Sequence, residues 1–151
     1  MYEKILVPID GSDTSTRGLQ EAIGLARLCG GTIRLIHIVD EMVFTSGIDG
    51  SAVIMGDVIS SLKDAGQACL DKARQTIEQA GVTADAILVE GFGTRVSDTV
   101  IEQATRWGAQ IIVLGTHGRR GVSRLVLGSD AEQILRSSPV PVLLVRGQSG
   151  A

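Results

Sequence analysis

Short apolar runs alternate with longer amphipathic stretches along the whole chain. Lys4 to Ile9 is rich in Ile, Leu and Val and closed by Asp10-Gly11, the pattern of a strand buried on both faces, with Pro8 near the exit where a strand end tolerates it. Ser12 and Asp13 can each cap a helix, and Leu19, Ala22, Ile23, Ala26 and Cys29 then recur at three- and four-residue steps until Gly30-Gly31 ends the pattern. Thr32 to Val39 predicts a second buried strand, followed by the acidic pair Asp40-Glu41. From Met42 to Ser60 the pattern breaks into Gly, Ser and scattered apolar residues, a stretch longer than ordinary connections that reads as a lid-like loop. Helical spacing resumes at Leu62, Gly66, Cys69, Ala73, Ile77 and Ala80 and stops at Gly81. Ala86 to Val89 reads as a third strand, Val96 to Trp107 as a helix and Ile111 to Leu114 as a fourth strand. A short helix over Ala131 to Leu135 and a fifth strand over Val140 to Val145 complete the series.

Strand and helix alternate throughout, which predicts parallel βαβ units: a three-layer α/β fold whose five-stranded sheet carries helices on both faces. In such sheets a ligand crevice lies beyond the carboxyl ends of the strands, so function belongs in the loops after Ile9, Val39, Val89 and Leu114. The expected organisation is one domain over residues 1–146, with a loose tail over 147–151. A chain of 151 residues with 44% hydrophobic positions has the means to bury one core, roughly two-thirds of its unfolded surface. Aromatic residues make up 3%, which does not suggest a base-stacking surface.

The 14 basic and 17 acidic residues leave a net charge of −3, which argues against a generic nucleic-acid-binding role. No apolar run approaches the roughly 18 residues that span a bilayer, and the start passes straight into a strand-like run, so the expected location is cytoplasmic. Cys29 and Cys69 lack metal-ligand spacing and fall on apolar helix faces, the positions of buried thiols rather than of a disulfide.

The densest chemical signal is Gly115-Thr116-His117-Gly118, then nine residues through Leu127, then Gly128-Ser129, placed between a strand and a helix. Glycine lets the backbone approach a ligand closely, and amides at a helix start receive phosphate oxygens. Arg119, Arg120 and Arg124 add positive charge in the same loop. The spacing is neither a Walker A loop nor GxGxxG.

With these residues in view the chain resembles the universal stress protein family over nearly its whole length. The resemblance rests on Lys4-Ile5-Leu6-Val7-Pro8-Ile9-Asp10-Gly11-Ser12, on Leu35-Ile36-His37-Ile38-Val39, on G-x2-G-x9-G-S from Gly115 to Ser129, and on Pro139 to Val145, in order. It implies a Rossmann-like fold with strand order 3-2-1-4-5, a homodimer through the last strand, and ATP binding in the subgroup that keeps the glycine pattern. It also implies site residues. Pro8, Ile9 and Asp10 lie beside the ribose and adenine, Ile38 contacts the adenine, and Leu114 and Gly115 flank the nucleotide. Gly118 admits the phosphates, and Gly128 and Ser129 donate to them; from their place in the loop His117 and Arg119 join the candidate set, with a solvated loop histidine and a solvated basic turn as the equal alternative readings. The family often carries a small aliphatic residue at position 130, where this chain has Asp130; its carboxylate suits the helix dipole but repels phosphate unless it turns away or shares a Mg²⁺.

Blander readings stand beside these. Asp10 is also an ordinary turn carboxylate, Ser129 with Glu132 has capping-box spacing, His37 fits a satisfied core histidine, and Trp107 an anchor at a helix end. The hydroxyls of Ser12, Ser15, Ser123 and Ser129 form no G-x-S-x-G elbow, and two isolated histidines suggest neither a catalytic unit nor a metal site. The expected function is that of an ATP-binding stress-response regulator or sensor with an unidentified protein partner. The alternatives are a nucleotide-independent, chaperone-like interaction module and a weak ATPase.

Overall fold

The computed structural model describes residues 1–40, 52–91, 93–116 and 127–147. Its elements run β1 (Lys4–Pro8), α1 (Asp13–Cys29), β2 (Thr32–Val39), α2 (Ala52–Gln79), β3 (Ala84–Glu90), α3 (Val96–Trp107), β4 (Ile111–Gly115), α4 (Ser129–Ser137) and β5 (Val142–Val145). The strands form one parallel sheet in the order β3-β2-β1-β4-β5. β1 pairs Leu6 with Arg34 on one side and with Ile112 on the other, so it lies at the centre, and Ile5, Leu6 and Val7 are wholly buried.

Side chains alternate across each strand and divide the core into two layers. Ile5, Val7 and Ile9, with Ile33, Leu35, Ile111 and Val113, pack under α1 and α2 through Leu19, Ala22, Ile23, Leu70 and Ile77. Leu6, Ile36, Ile112 and Leu114 face the opposite layer and meet Val100, Ala104, Ala131 and Ile134 of α3 and α4. Each fully buried Leu or Ile contributes roughly 1.5–3 kcal/mol relative to exposure, so both layers are needed to hold the central strands.

Local chemistry sets the boundaries. Ser12 caps α1 by accepting the Ser15 N–H, Asp13 and Arg27 match the helix dipole, and Gly30 closes the helix at a φ of 68°, where a side chain would be strained. The loop expected over Met42 to Ser60 is overturned in its second part: α2 already begins at Ala52. Gly56 and the pair Ser60-Ser61 are weak helix formers, costing up to about 1 kcal/mol each, but the long helix anchored by Leu70 and Ile77 carries them. Residues 41–51 of that expected loop lie outside the described residues. The fifth strand starts at Val142 rather than Val140, because the Val140 N–H donates to Ser138 Oγ and Pro141 has no N–H to add to the ladder.

Both cysteines are half-buried thiols rather than fully buried ones; Cys69 lies against the α1–α2 layer. Of the tail expected over 147–151, Gly147 is described and lies against Thr14, and the rest falls outside the described residues. Among the described residues, no helix is long and apolar enough to cross a membrane.

Candidate functional site

The chain leaves β1 for β2 and β3 on one side and returns through β4 and β5 on the other, so the order reverses between β1 and β4. At the carboxyl end of β1, Pro8 is still in register with Ile36. Ile9 has left the strand but is held twice by β2: its N–H donates to the Ile36 carbonyl at 2.9 Å, and its carbonyl lies 2.9 Å from His37 Nδ1. Asp10 Oδ1 accepts the Ser12 N–H at 2.9 Å, a tight Asx-type turn that leads directly into the cap of α1. The turn-forming reading of Asp10 is therefore realised, and it fixes the carboxylate at the mouth of the crevice.

At the end of β4, a Cβ added to Gly115 would lie 2.7 Å from the Thr14 carbonyl carbon and 2.8 Å from Thr14 Cβ. Only glycine lets the first turn of α1 rest on that strand end. Gly18, one turn further on, continues the close approach, with its virtual Cβ 3.4 Å from the Gly115 nitrogen. Leu114 is buried in the opposite layer, against which Ile38 packs. Thr116 donates its N–H to the Val145 carbonyl at 3.0 Å and accepts the Gly128 N–H at 2.8 Å. That second bond returns the chain to the end of β4, so the excursion between residues 116 and 128 is closed at its base.

Pro8, Ile9, Asp10, Leu114 and Gly115 thus stand on adjoining strand ends, Ile38 near the end of the next strand, and Gly128-Ser129 beside β4. His117, Gly118 and Arg119, together with Arg120 and Arg124, lie outside the described residues. Sequence reading assigned no role to Thr116, though it lies within the glycine motif, or to Thr14, the two residues that bring the loop base and α1 onto β4; their neighbours Gly115 and Ser12 were the available signals.

The capping box expected at Ser129 and Glu132 is not formed. Gly128 is the N-cap, the Glu132 N–H donates to the Gly128 carbonyl at 2.9 Å, and no side chain caps the helix. The Glu132 carboxylate is drawn to Arg136 one turn along, at 2.8 Å. Ser129 is therefore the first helical residue, with its side chain exposed. Beside it opens a shallow cleft of about 480 Å³ between α3 and α4, lined by Arg95, Ser97, Ser129, Asp130, Glu132, Gln133 and Arg136. Two arginines and two carboxylates on this rim balance in charge, so any preference for an anion has to come from backbone amides. No group of three or more His, Cys, Asp or Glu that could hold a metal occurs among the described residues.

His37 is 6% exposed and satisfied by the Ile9 carbonyl, as expected of a core histidine. Trp107 packs against the α3–α4 layer, with the Arg34 guanidinium 4.6 Å from its ring centre.

A parallel sheet with helices on both faces, a crevice at the reversal of strand order and a glycine-bounded loop returning to a helix start define a Rossmann-like α/β domain. The chain belongs to the universal stress protein family, whose model matches residues 1–146. Universal stress protein MJ0531 of Methanocaldococcus jannaschii is 33% identical over 97% of this chain and 83% of its own length. Among solved structures, MJ0577 superposes with a TM-score of 0.88 at 24% identity over 99% of both chains. Two further universal stress proteins with this fold were solved with nucleotides. One is in complex with cAMP, with a TM-score of 0.69, 23% identity and coverage of 97% of this chain and 98% of that one. The other, from Archaeoglobus fulgidus, is in complex with dAMP, with a TM-score of 0.66, 22% identity and coverage of 95% and 98%.

Proposed function

We propose that this protein binds an adenine nucleotide, ATP in the first instance, over the carboxyl ends of β1 and β4, and that occupancy regulates its contacts in a stress response. The observation that carries this reading is the Gly128–Thr116 bond. It sets beside the crevice a helix start whose N-cap, Gly128, has no side chain to occupy the first-turn amides. The donor set suits the ligand: half-buried Ile38, at the edge of the layer that Leu114 closes, offers aliphatic surface for a base, the Asp10 carboxylate can accept from ribose hydroxyls, and the Ser129 amide meets phosphate, the Gly128 N–H being committed to Thr116. His117, Gly118 and Arg119 belong to the same proposed set. Related proteins of this fold in complex with cAMP and dAMP favour the adenine assignment. Mg²⁺ bound with ATP would offset the charge of Asp130 in the first turn of α4.

The reading extends to a homodimer through β5. That strand is at the sheet edge and exposes Leu143, and Leu135 of the preceding helix is exposed as well.

Calorimetric titration with ATP and ADP in the presence of Mg²⁺ tests the proposal. Saturable binding is expected, and no heat and no thermal stabilisation at about 1 mM nucleotide overturns it. In that event the carboxylates of Asp130 and Glu132 beside Ser129 would favour a nucleotide-independent interaction module.

A further inference from the structure

We infer that His37 is a positioning residue for the nucleotide site, acting through Ile9 on the turn that carries Asp10. The inference rests on the nucleotide-binding reading above and assigns a role to a side chain outside the candidate contact set. The Ile9 carbonyl can only accept, so the 2.9 Å contact requires the proton on Nδ1 of His37. Ile9 is the first residue after β1, and its N–H bond to Ile36 at 2.9 Å leaves its carbonyl as the other backbone anchor before Asp10. The imidazole therefore fixes the peptide plane that sets the direction of the next residue. Asp10 in turn takes the Ser12 N–H, so successive hydrogen bonds along one backbone stretch tie down strand end, carboxylate and helix cap.

The ring has little freedom to let go. A Cβ added to Gly66 of α2 would fall 2.5 Å from His37 Cδ2, 2.8 Å from Nε2 and 2.9 Å from Leu88 Cδ1. The helix backbone is thus laid directly on the imidazole, which is 6% exposed. His37 points into the α1–α2 layer and its neighbour Ile38 into the opposite one, so one stretch of β2 offers an aliphatic side chain to the base and holds the carboxylate turn from behind.

The test compares His37→Asn, whose amide keeps a donor near the Nδ1 position, with His37→Leu, which has none, in binding of ATP with Mg²⁺. Wild-type binding and its weakening in Asp10→Ala report on the nucleotide reading; the His37 variants report on this one. His37→Leu should weaken ATP about tenfold and His37→Asn less than about threefold. In an Asp10→Ala background, His37→Leu should add almost nothing, since both act on one turn. Equal affinity of folded His37→Leu and wild type overturns the inference, as does strict additivity with Asp10→Ala. Should wild type bind no nucleotide, hydrogen exchange at the Ser12 amide still decides: it should quicken in His37→Leu and stay near wild type in His37→Asn, and equal rates in all three sink the role. If His37→Leu does not fold, long-range proton–nitrogen spectra of the wild type serve instead. A ring protonated on Nδ1 that shifts on addition of ATP supports the role; protonation on Nε2 alone, or an unmoved ring, refutes it.

Discussion

The two ends of the sheet solve the same problem by opposite means. At the amino end, long side chains close the surface. Arg34 makes a bidentate pair with Asp85 at 2.8 and 2.7 Å, Trp107 lies under Arg34 and Lys4, and Lys4 Nζ donates to the Trp107 carbonyl at 3.0 Å. The hydrogen bonds that Arg34 donates to Asp85 raise the pKa of a guanidinium that is charged at any working pH. At the carboxyl end, glycines and short polar residues do the work: Gly115 under Thr14, the turn from Asp10 to Ser12, and Gly128 bonded to Thr116. Large side chains seal, whereas small ones leave backbone groups available for a ligand. Stability and access are thus assigned to different ends of the same strands.

Substitutions at each end should separate these assignments. Gly115→Val should do most damage, because its Cβ meets backbone atoms of Thr14. We expect about 3 kcal/mol of destabilisation with loss of ATP binding, read by urea unfolding and calorimetry; a stable variant with normal affinity breaks the comparison. Trp107→Ala should cost about 2–3 kcal/mol in unfolding free energy yet leave nucleotide affinity of the folded protein unchanged. A parallel loss of affinity there would show that the ends are coupled. Asp10→Ala should weaken ATP by about 2 kcal/mol and destabilise the fold by about 1 kcal/mol through the lost turn bond. Arg34→Lys, which cannot reproduce the bidentate pair, should cost less than about 1 kcal/mol because Asp85 is half exposed, and should leave binding untouched. Smallest is Ser97→Ala. Its buried hydroxyl has no hydrogen-bond partner among the described residues, so thermal denaturation should show a gain of roughly a few tenths of a kcal/mol or no change, and a clear loss would reveal an unseen partner.

Periodicity made most of the fold legible. Leu19, Ala22, Ile23 and Ala26 recur as a helical stripe and are buried as one, and the β-branched run of β2 lies where its pattern put it. The start of α2 was obscured because Gly56 and Ser60-Ser61 weaken the local signal, and helix formation there follows from tertiary packing. Val140 looks like strand, but a neighbouring serine takes its N–H. At the site, glycine spacing pointed to the strand end and helix start that the structure brings together. The cap at Gly128 was missed because Ser-x-x-Glu is also what an i,i+4 pair with Arg136 looks like one turn further on. His37 and Gly66 lie 29 residues apart in sequence, and nothing local in either says that one rests on the other.

The bond between Gly128 and Thr116 also bears on how such a protein can be rebuilt. Because two backbone atoms clamp the neck of the excursion, changes of length or composition beyond that neck need not be transmitted to β4 or α4. The intervening segment is therefore a natural graft point. Exchanging that segment alone should leave sheet register and both core layers as they are.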